Sequence, residues 1–156
     1  MTRKLTRKSV IVAADHRGVA LKARLIGWLQ ENGYAVTDCG AGPDDGRVDA
    51  MDYAVRLAEE IGEGRSDFAV GICGSGQMMA ITANRFPFIR ATLLHTVDEA
   101  RGARQHGDAN VLVLAADTLD GAVAEQVLKV FLETPAEGGR YADRRDRLAR
   151  LDVSGL

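Results

Sequence analysis

The sequence predicts a three-layer α/β/α domain in which helices cover both faces of a five-stranded parallel sheet. Short apolar runs alternate with amphipathic stretches along the whole chain, which is the pattern of repeated strand–helix–strand units. Several of these runs are continuously apolar, as expected of strands that are buried on both faces. The 156 residues include 17 glycines and three prolines, which suits one domain with many tight strand–helix junctions.

The first part of the chain predicts three strands and two helices. Apolar residues recur near helical spacing between Val19 and Leu29, and Lys22 falls off this apolar face. Asn32-Gly33 ends that helix, because glycine tolerates the left-handed turn that a helix end needs. In chain order the predicted elements are a strand at 10–14, a helix at 19–29, a strand at 34–38, a helix at about 51–61 and a strand at 68–73.

The second part continues the alternation and adds a charged last helix. Thr96 and Glu99 have the spacing of a capping box, in which each side chain satisfies a free backbone donor. Right-handed crossovers between the strands then give a doubly wound, Rossmann-like open sheet. The predicted elements are a helix from 77, a strand at 90–94, a helix to about 105, a strand at 110–114, a helix at 118–132 and a last helix from 140.

The composition and charge of the chain argue against several classes of function. A net charge of −2 and a pI near 5.9 give no support for a nucleic-acid or membrane partner. Cys39 and Cys73 form no metal-ligand spacing and no disulfide framework, so a reducing cytoplasm is the expected location. Residues 1–8 are predicted to be a flexible basic extension, and residues 9–156 a single domain.

Reactive side chains are predicted to meet at one edge of the sheet, because the carboxyl ends of parallel strands lie together. The first strand ends in Asp15-His16, the third in Cys73 and the fourth in His95. The turn Gly74-Ser75-Gly76 follows Cys73 and can present backbone N–H groups to an anion. A cysteine in this position can act as a base or nucleophile, although a strand cysteine is more often inert filler.

The remaining candidates are His106 and two arginines of the last helix. His106 is predicted in the turn that leads into the fifth strand, so it can reach the Cys73 edge only from a neighbouring molecule. Arg140 and Arg144 are four residues apart on the last helix and can grip a phosphate together. The alternatives are that the histidines only cap helices or close turns, and that the last helix is a solvated tail instead of an arm reaching a second subunit.

Taken together, these residues resemble one family over about residues 9–151. The carriers are Asp15-His16 with Gly18, Asp49, Asp52-Tyr53-Ala54, Ile72-Cys73-Gly74-Ser75-Gly76, Ala83-Asn84-Arg85, Ile89-Arg90-Ala91, Arg104-Gln105-His106, Asp108 to Leu112 and Glu137-Gly138-Gly139-Arg140. The chain resembles the B-type ribose-5-phosphate isomerases and the related galactose-6-phosphate isomerase subunits. That resemblance implies interconversion of aldose and ketose phosphates through a cis-enediolate, with no metal and no organic cofactor.

The resemblance also implies a role for each candidate residue. Cys73 would move the proton between C1 and C2, and Ser75 would handle the hydroxyl proton. The amides from Gly74 to Gly76 would hold the enediolate oxygen, and Asp15 would line the sugar. His106 from another subunit would open the sugar ring, while the phosphate would be bound by His16, Arg140 and Arg144.

Four positions depart from the family pattern and are candidates for substrate specificity. Ala50 stands where the family has a tyrosine that lines the sugar, and Met78 stands where it has a glycine. Gly107 replaces an asparagine beside the ring-opening histidine, and Asp117 replaces a phosphate-binding arginine of many members. We expect added methionines to fill volume in the pocket and Asp117 to repel a phosphate.

Three functions follow from these patterns. The first is an aldose–ketose isomerase, with ribose 5-phosphate as the default substrate and a tetrose, another pentose or a hexose phosphate as alternatives. The second is a non-catalytic protein that binds sugar phosphates on the same scaffold. The third is one subunit of a hetero-oligomeric isomerase. In the first case we expect a homodimer or tetramer with shared active sites.

Overall fold

The computed structural model describes residues 8–156 and confirms the predicted alternation of strands and helices. The predicted extension at residues 1–8 therefore lies almost wholly outside the described residues. The elements are β1 Ser9–Ala14, α1 Val19–Glu31, β2 Ala35–Asp38, α2 Ala50–Gly62, β3 Ala69–Cys73, α3 Gln77–Ala83, β4 Ala91–Leu93, α4 Val97–Gly107, β5 Val111–Ala115, α5 Gly121–Glu133 and α6 Arg140–Ala149, with a short 3₁₀ turn at His16–Gly18.

The five strands form one parallel sheet in the order β2-β1-β3-β5-β4. From β1 the chain moves outward to β2 on one side, and from β3 it passes to the edge strand β4 on the other side before β5 enters between β3 and β4. The strand order therefore reverses between β1 and β3, and the loops that leave these two strands diverge. In open α/β sheets ligands bind in the crevice at such a reversal, so the carboxyl ends of β1 and β3 mark the place to look for a site.

Each face of the sheet has its own apolar core. Helices α1, α4 and α5 cover one face, where Leu25, Leu29 and Phe131 are fully buried. Helices α2 and α3 cover the other, where Leu57 and Met79 are fully buried. Strands β1, β3 and β5 contribute to both cores with alternate residues, and this explains why their sequences are continuously apolar.

Short sequence motifs explain where several of the helices begin or end. Thr96 and Glu99 form the predicted capping box at the start of α4, and Gly33 adopts the predicted left-handed conformation after α1, with φ 85°. The predicted start of α5 at residue 118 is three residues early. Asp120 accepts hydrogen bonds from the amides of Ala122 and Val123 and so begins the helix at Gly121.

Two other predictions are corrected by the structure. His106 lies in the last turn of α4 rather than in a connecting turn, although this still places it at the amino end of β5. Lys22 is buried instead of lying on a polar face: its Nζ donates to both carboxylate oxygens of Asp38 at 2.9 Å and to the Ala41 carbonyl at 2.6 Å. Lys22 thereby fastens the loop after β2 to α1.

Residues 8–156 contain neither a candidate membrane span nor a candidate metal cluster. No helix of this part is both long enough and apolar enough to span a bilayer. In the same residues, no group of three or more His, Cys, Asp or Glu side chains is arranged to hold a metal ion.

Candidate active site

The ends of β1, β3 and β5 are joined into one surface at the strand-order reversal. The amide of Asp15 donates to the Ile72 carbonyl at 3.1 Å, which continues the β1–β3 ladder by one residue. On the other side of β3, the amide of Ala116 donates to the Cys73 carbonyl at 2.9 Å, and that of Asp117 to the Gly74 carbonyl at 3.0 Å. The predicted residues after these strands therefore lie side by side.

The turn after Cys73 has free backbone donors. Within residues 8–156, no hydrogen bond is donated by the amides of Gly74, Ser75 or Gly76. The Ser75 hydroxyl oxygen accepts from the Gln77 amide at 3.3 Å. Gly76 has φ 76°, and a Cβ on it would lie 2.4 Å from Leu93 Cδ1, so only glycine fits. Preset donors of this kind can stabilise a developing oxyanion.

Asp15 and His16 are held rigidly beside this turn. Asp15 is buried, and its Oδ1 accepts from the Arg17 amide at 3.0 Å. The His16 ring is fixed by Val48, whose carbonyl oxygen and amide nitrogen lie 3.1 and 3.2 Å from Nδ1. This leaves Nε2 without a hydrogen-bond partner among residues 8–156, as a ligand-binding nitrogen requires.

The two cysteines lie in different settings. Cys73 ends β3 beside the free amides of the turn, and it is buried. Cys39 follows β2, where burial, assisted by the charges of Glu60 and Asp38, raises the pKa of its thiol to about 11. Cys39 therefore remains protonated at neutral pH, and it provides an internal control for experiments on Cys73.

A second cluster of predicted residues lies at the opposite edge of the sheet and is organised by Tyr141. The rings of His106 and Tyr141 stack with centroids 4.3 Å apart and planes 16° apart. The guanidinium carbons of Arg140 and Arg144 lie 4.9 and 5.7 Å from the Tyr141 ring centroid. Arg145 ties α6 to α4 by donating to the His106 carbonyl at 3.3 Å. The sequence reasoning missed Tyr141, because nothing in its spacing distinguishes it from an exposed aromatic residue.

The two clusters cannot meet within one chain. The residues around Cys73 lie at the carboxyl ends of the strands, whereas His106 and α6 lie at the amino end of β5. The five residues of β5 separate these edges by roughly 16 Å at about 3.3 Å per residue. One chain thus brings together Asp15, His16 and residues 73–76, and separately His106, Arg140 and Arg144.

The four unusual positions are distributed over both clusters. Asp117 lies at the Cys73 edge, and Gly107 ends α4 at the His106 edge with open space around it. Ala50 begins α2 and is partly buried, whereas Met78 on α3 is 48% exposed, as is Met51. These two side chains are therefore about half exposed in the single chain and fill no gap within it, and their filling of a shared substrate pocket stays a prediction.

Arg104 is a buried residue that holds the end of α4, which carries His106. The sequence pattern did not predict this role. Arg104 lies with its guanidinium carbon 4.8 Å from the Phe68 ring centroid. It donates to the carbonyls of Ala109 and Thr134 and to the Asp108 carboxylate. Asp108 adopts φ 46°, so Arg104 secures an unfavourable backbone turn directly after the helix end that carries His106.

We expect Arg104→Met to lower the free energy of unfolding by about 3 kcal/mol, because the buried Ala109 carbonyl and the partly buried Thr134 carbonyl lose their donor and the guanidinium–aromatic contact is lost. Urea denaturation measures this. Arg101→Met on the same helix is the control, since Arg101 is exposed and, among residues 8–156, pairs only with Asp98 at 2.8 Å. The effect of Arg101→Met should stay within about 0.5 kcal/mol. Equal effects of the two substitutions would contradict the structural role of Arg104.

Comparison with known proteins decides the family. The family model described as Ribose/Galactose Isomerase matches residues 10–148. The chain belongs to the ribose/galactose isomerase family. The family resemblance predicted from the sequence is thereby confirmed, and this protein is a sugar phosphate isomerase of the type that interconverts aldoses and ketoses.

Individual members of the ribose/galactose isomerase family match nearly the whole chain. The ribose-5-phosphate isomerase B of Escherichia coli is 31% identical over 93% of this chain and 97% of its own. The D-erythrulose-4-phosphate isomerase of Pectobacterium atrosepticum is 30% identical over 90% of this chain and 92% of its own.

Solved structures of family members confirm the three-layer fold. The ribose 5-phosphate isomerase B of Anaplasma phagocytophilum is 39% identical, with a TM-score of 0.86 over 91% of this chain and 97% of its own. The enzyme of Mycoplasma genitalium, solved with bound ribulose 5-phosphate, is 30% identical, with a TM-score of 0.86 over 91% of this chain and 94% of its own.

Proposed function

We propose that this protein interconverts ribose 5-phosphate and ribulose 5-phosphate, or a closely related aldose–ketose phosphate pair, through a cis-enediolate. The observation that carries the proposal is the position of Cys73 at the strand-order reversal, next to three backbone amides that donate no hydrogen bond within residues 8–156. A base beside preset oxyanion donors is what proton transfer next to a carbonyl requires.

In the proposed reaction, the Cys73 thiolate removes the proton from C2 of the open-chain aldose. The amides of Gly74 to Gly76 stabilise the enediolate oxygen, and Ser75 passes the hydroxyl proton. Protonation at C1 by the Cys73 thiol then gives the ketose and restores the thiolate. Asp15 is buried and its Oδ1 accepts from the Arg17 amide; in this proposal its carboxylate also accepts a hydrogen bond from a sugar hydroxyl.

The remaining groups come from a second copy of the chain in this proposal. His106 opens the sugar ring, and Arg140 and Arg144 bind the phosphate together with His16 of the first chain. His106, Arg140 and Arg144 cluster around Tyr141, about one strand length from Cys73. This separation supports a site shared between two chains. The exposed apolar side chains of Met51, Met78 and Ile81 support an interface on the α2–α3 face. We therefore propose a homodimer or a tetramer built from it.

The identity of the sugar is the finer part of the proposal. The names of relatives include both a pentose and a tetrose phosphate enzyme, and the bound ligand of one similar structure is ribulose 5-phosphate. Ribose 5-phosphate is the first substrate to test. Tetrose and hexose phosphates follow, since Ala50, Met78 and Gly107 alter the size and polarity expected around the sugar.

Solvent-deuterium exchange tests the function directly. The purified protein is incubated in D₂O with tetrose, pentose and hexose phosphates and with the corresponding free sugars, and incorporation is followed by NMR. We expect deuterium at C2 of one aldose phosphate together with formation of its ketose. Binding of a sugar phosphate without exchange or isomerisation of any compound in the panel would instead identify a non-catalytic binding protein.

A further inference from the structure

Asp117, which was expected to repel a phosphate, is paired with an arginine in the structure. Arg17 Nε donates to Asp117 Oδ1 at 3.0 Å, and Arg17 Nη2 donates to Asp117 Oδ2 at 2.7 Å. These two parallel bonds make a bidentate pair between residues 100 positions apart. The negative charge at position 117 is therefore compensated by a guanidinium that the sequence pattern alone did not connect with it.

The pair lies directly on the proposed active site. Arg17 belongs to the 3₁₀ turn that carries His16, and the Asp117 amide donates to the Gly74 carbonyl. A Cβ on Gly74 would lie 2.6 Å from Arg17 Nε and 2.8 Å from Asp117 Oδ2. The Arg17 side chain thus crosses the turn immediately after Cys73 and lies next to the residues expected to bind the substrate.

The guanidinium has a second edge that is free. A guanidinium carries five N–H donors in a planar fork, and Asp117 takes one from Nε and one from Nη2. Nη1 donates to no group within residues 8–156, and the Arg17 side chain is 56% exposed. The edge formed by Nη1 and Nη2 matches a phosphate bidentately. Since Asp117 already holds the side chain in place, less conformational entropy is lost when an anion binds.

We infer that Arg17, oriented by Asp117, binds the phosphate of the substrate from the Cys73 side of the site. The inference rests on the proposed function and deepens it. Arg17 then makes the phosphate contact that an arginine at position 117 would otherwise make. Asp117 is the residue that positions Arg17. The proposed phosphate site then contains His16 and Arg17 from one chain and Arg140 and Arg144 from the other.

A matched ion pair elsewhere provides the control. Arg24 Nε donates to Glu125 Oε1 at 2.8 Å, and the Arg24 side chain is 49% exposed. Arg24 also crosses a glycine, since a Cβ on Gly121 would lie 2.6 Å from Arg24 Nη1. This pair joins α1 to α5 and resembles the Arg17–Asp117 pair in chemistry and exposure, but it has no contact with residues 73–76.

The test compares Arg17→Met, Arg17→Lys and Arg24→Met. The readouts are KM and kcat for ribose 5-phosphate, the affinity for inorganic phosphate by calorimetry, and the melting temperature. For Arg17→Met we expect both the KM and the phosphate dissociation constant to rise about 10- to 100-fold, with kcat changed by less than about threefold. Arg17→Lys should lie between parent and Arg17→Met, because it keeps the charge but loses the fork. Arg24→Met should change neither constant.

A charge exchange adds a second test. Arg17→Asp alone should weaken phosphate binding most, because two carboxylates then face the anion. Combining it with Asp117→Arg should recover affinity to within about fivefold of the parent, since a guanidinium again lies on Gly74. If the pair only supports the fold, the double variant should recover the melting temperature of the parent. In that case Arg17→Asp alone should not weaken phosphate binding.

The outcomes separate the inference from the proposed function. If no sugar phosphate is isomerised but Arg17→Met still weakens the binding of inorganic phosphate, the function fails and the role of Arg17 stands. If the parent isomerises a sugar phosphate and Arg17→Met leaves KM and phosphate affinity within twofold, the role of Arg17 is wrong and the function stands. Phosphate affinity that falls equally in Arg17→Met and Arg24→Met would also overturn the inference.

Discussion

Cys73→Ala is expected to lower kcat for isomerisation by about 10³-fold or more, within the range that loss of a general base produces. The same variant should lose C2 deuterium exchange in D₂O. The fold should be retained, because alanine fits the space of Cys73 at the end of β3, where Cys73 belongs to the apolar core beneath α2 and α3. The melting temperature and the affinity for inorganic phosphate should therefore stay close to those of the parent.

Cys39→Ala is the matched control for this prediction. Cys39 also follows a strand at the same edge of the sheet, but its raised pKa keeps it protonated at neutral pH. We expect Cys39→Ala to keep kcat within about twofold of the parent. A Cys73→Ala variant that turns over as fast as Cys39→Ala would exclude Cys73 as the base.

The double substitution Arg140→Ala/Arg144→Ala has the second largest expected effect. Both guanidinium groups lie over the Tyr141 ring on one face of α6, and removing them takes away two donors to the proposed phosphate. We expect KM for ribose 5-phosphate to rise about 10²- to 10³-fold, with a smaller change in kcat. Steady-state kinetics with the phosphorylated sugar measures both constants.

Lys129→Ala controls for a general loss of positive charge. Lys129 is exposed on α5, away from α6, and no hydrogen bond to a neighbouring carboxylate is found for it within residues 8–156. Its removal should raise KM by less than about twofold. If Lys129→Ala raises KM as much as the loss of Arg140 and Arg144, the effect is one of overall charge and these two arginines do not form a specific phosphate site.

The fold was largely predictable because its determinants are local. Short apolar runs identified all five strands, and the Thr96–Glu99 capping box and Gly33 marked helix ends from a few adjacent residues. The chemistry at the ends of β1 and β3 could be placed at one edge because all strands of a parallel sheet end on the same side. The family resemblance then supplied the roles that local chemistry left open.

The remaining features depend on partners that are distant in the sequence. Lys22 looks like a surface residue until the end of β2 brings Asp38 to it, and Arg104 is buried against the rings of Phe68 and Phe131. Asp117 looked repulsive because its partner, Arg17, is 100 residues away. Helical periodicity reports which face of a helix is apolar, but it carries no information about a charge contributed by another element.

Mixing two variants that are each impaired at low substrate concentration tests most directly whether the proposed site is shared between chains. Cys73→Ala and Arg140→Ala/Arg144→Ala are refolded together with different affinity tags, and hybrid oligomers are purified by both tags. Each hybrid dimer should contain one intact site, with Cys73 from one chain and both arginines from the other. At substrate concentrations below the parent KM, we predict activity of about half the parent value per purified hybrid dimer. Hybrid dimers no more active than the two variants measured separately would contradict the shared site.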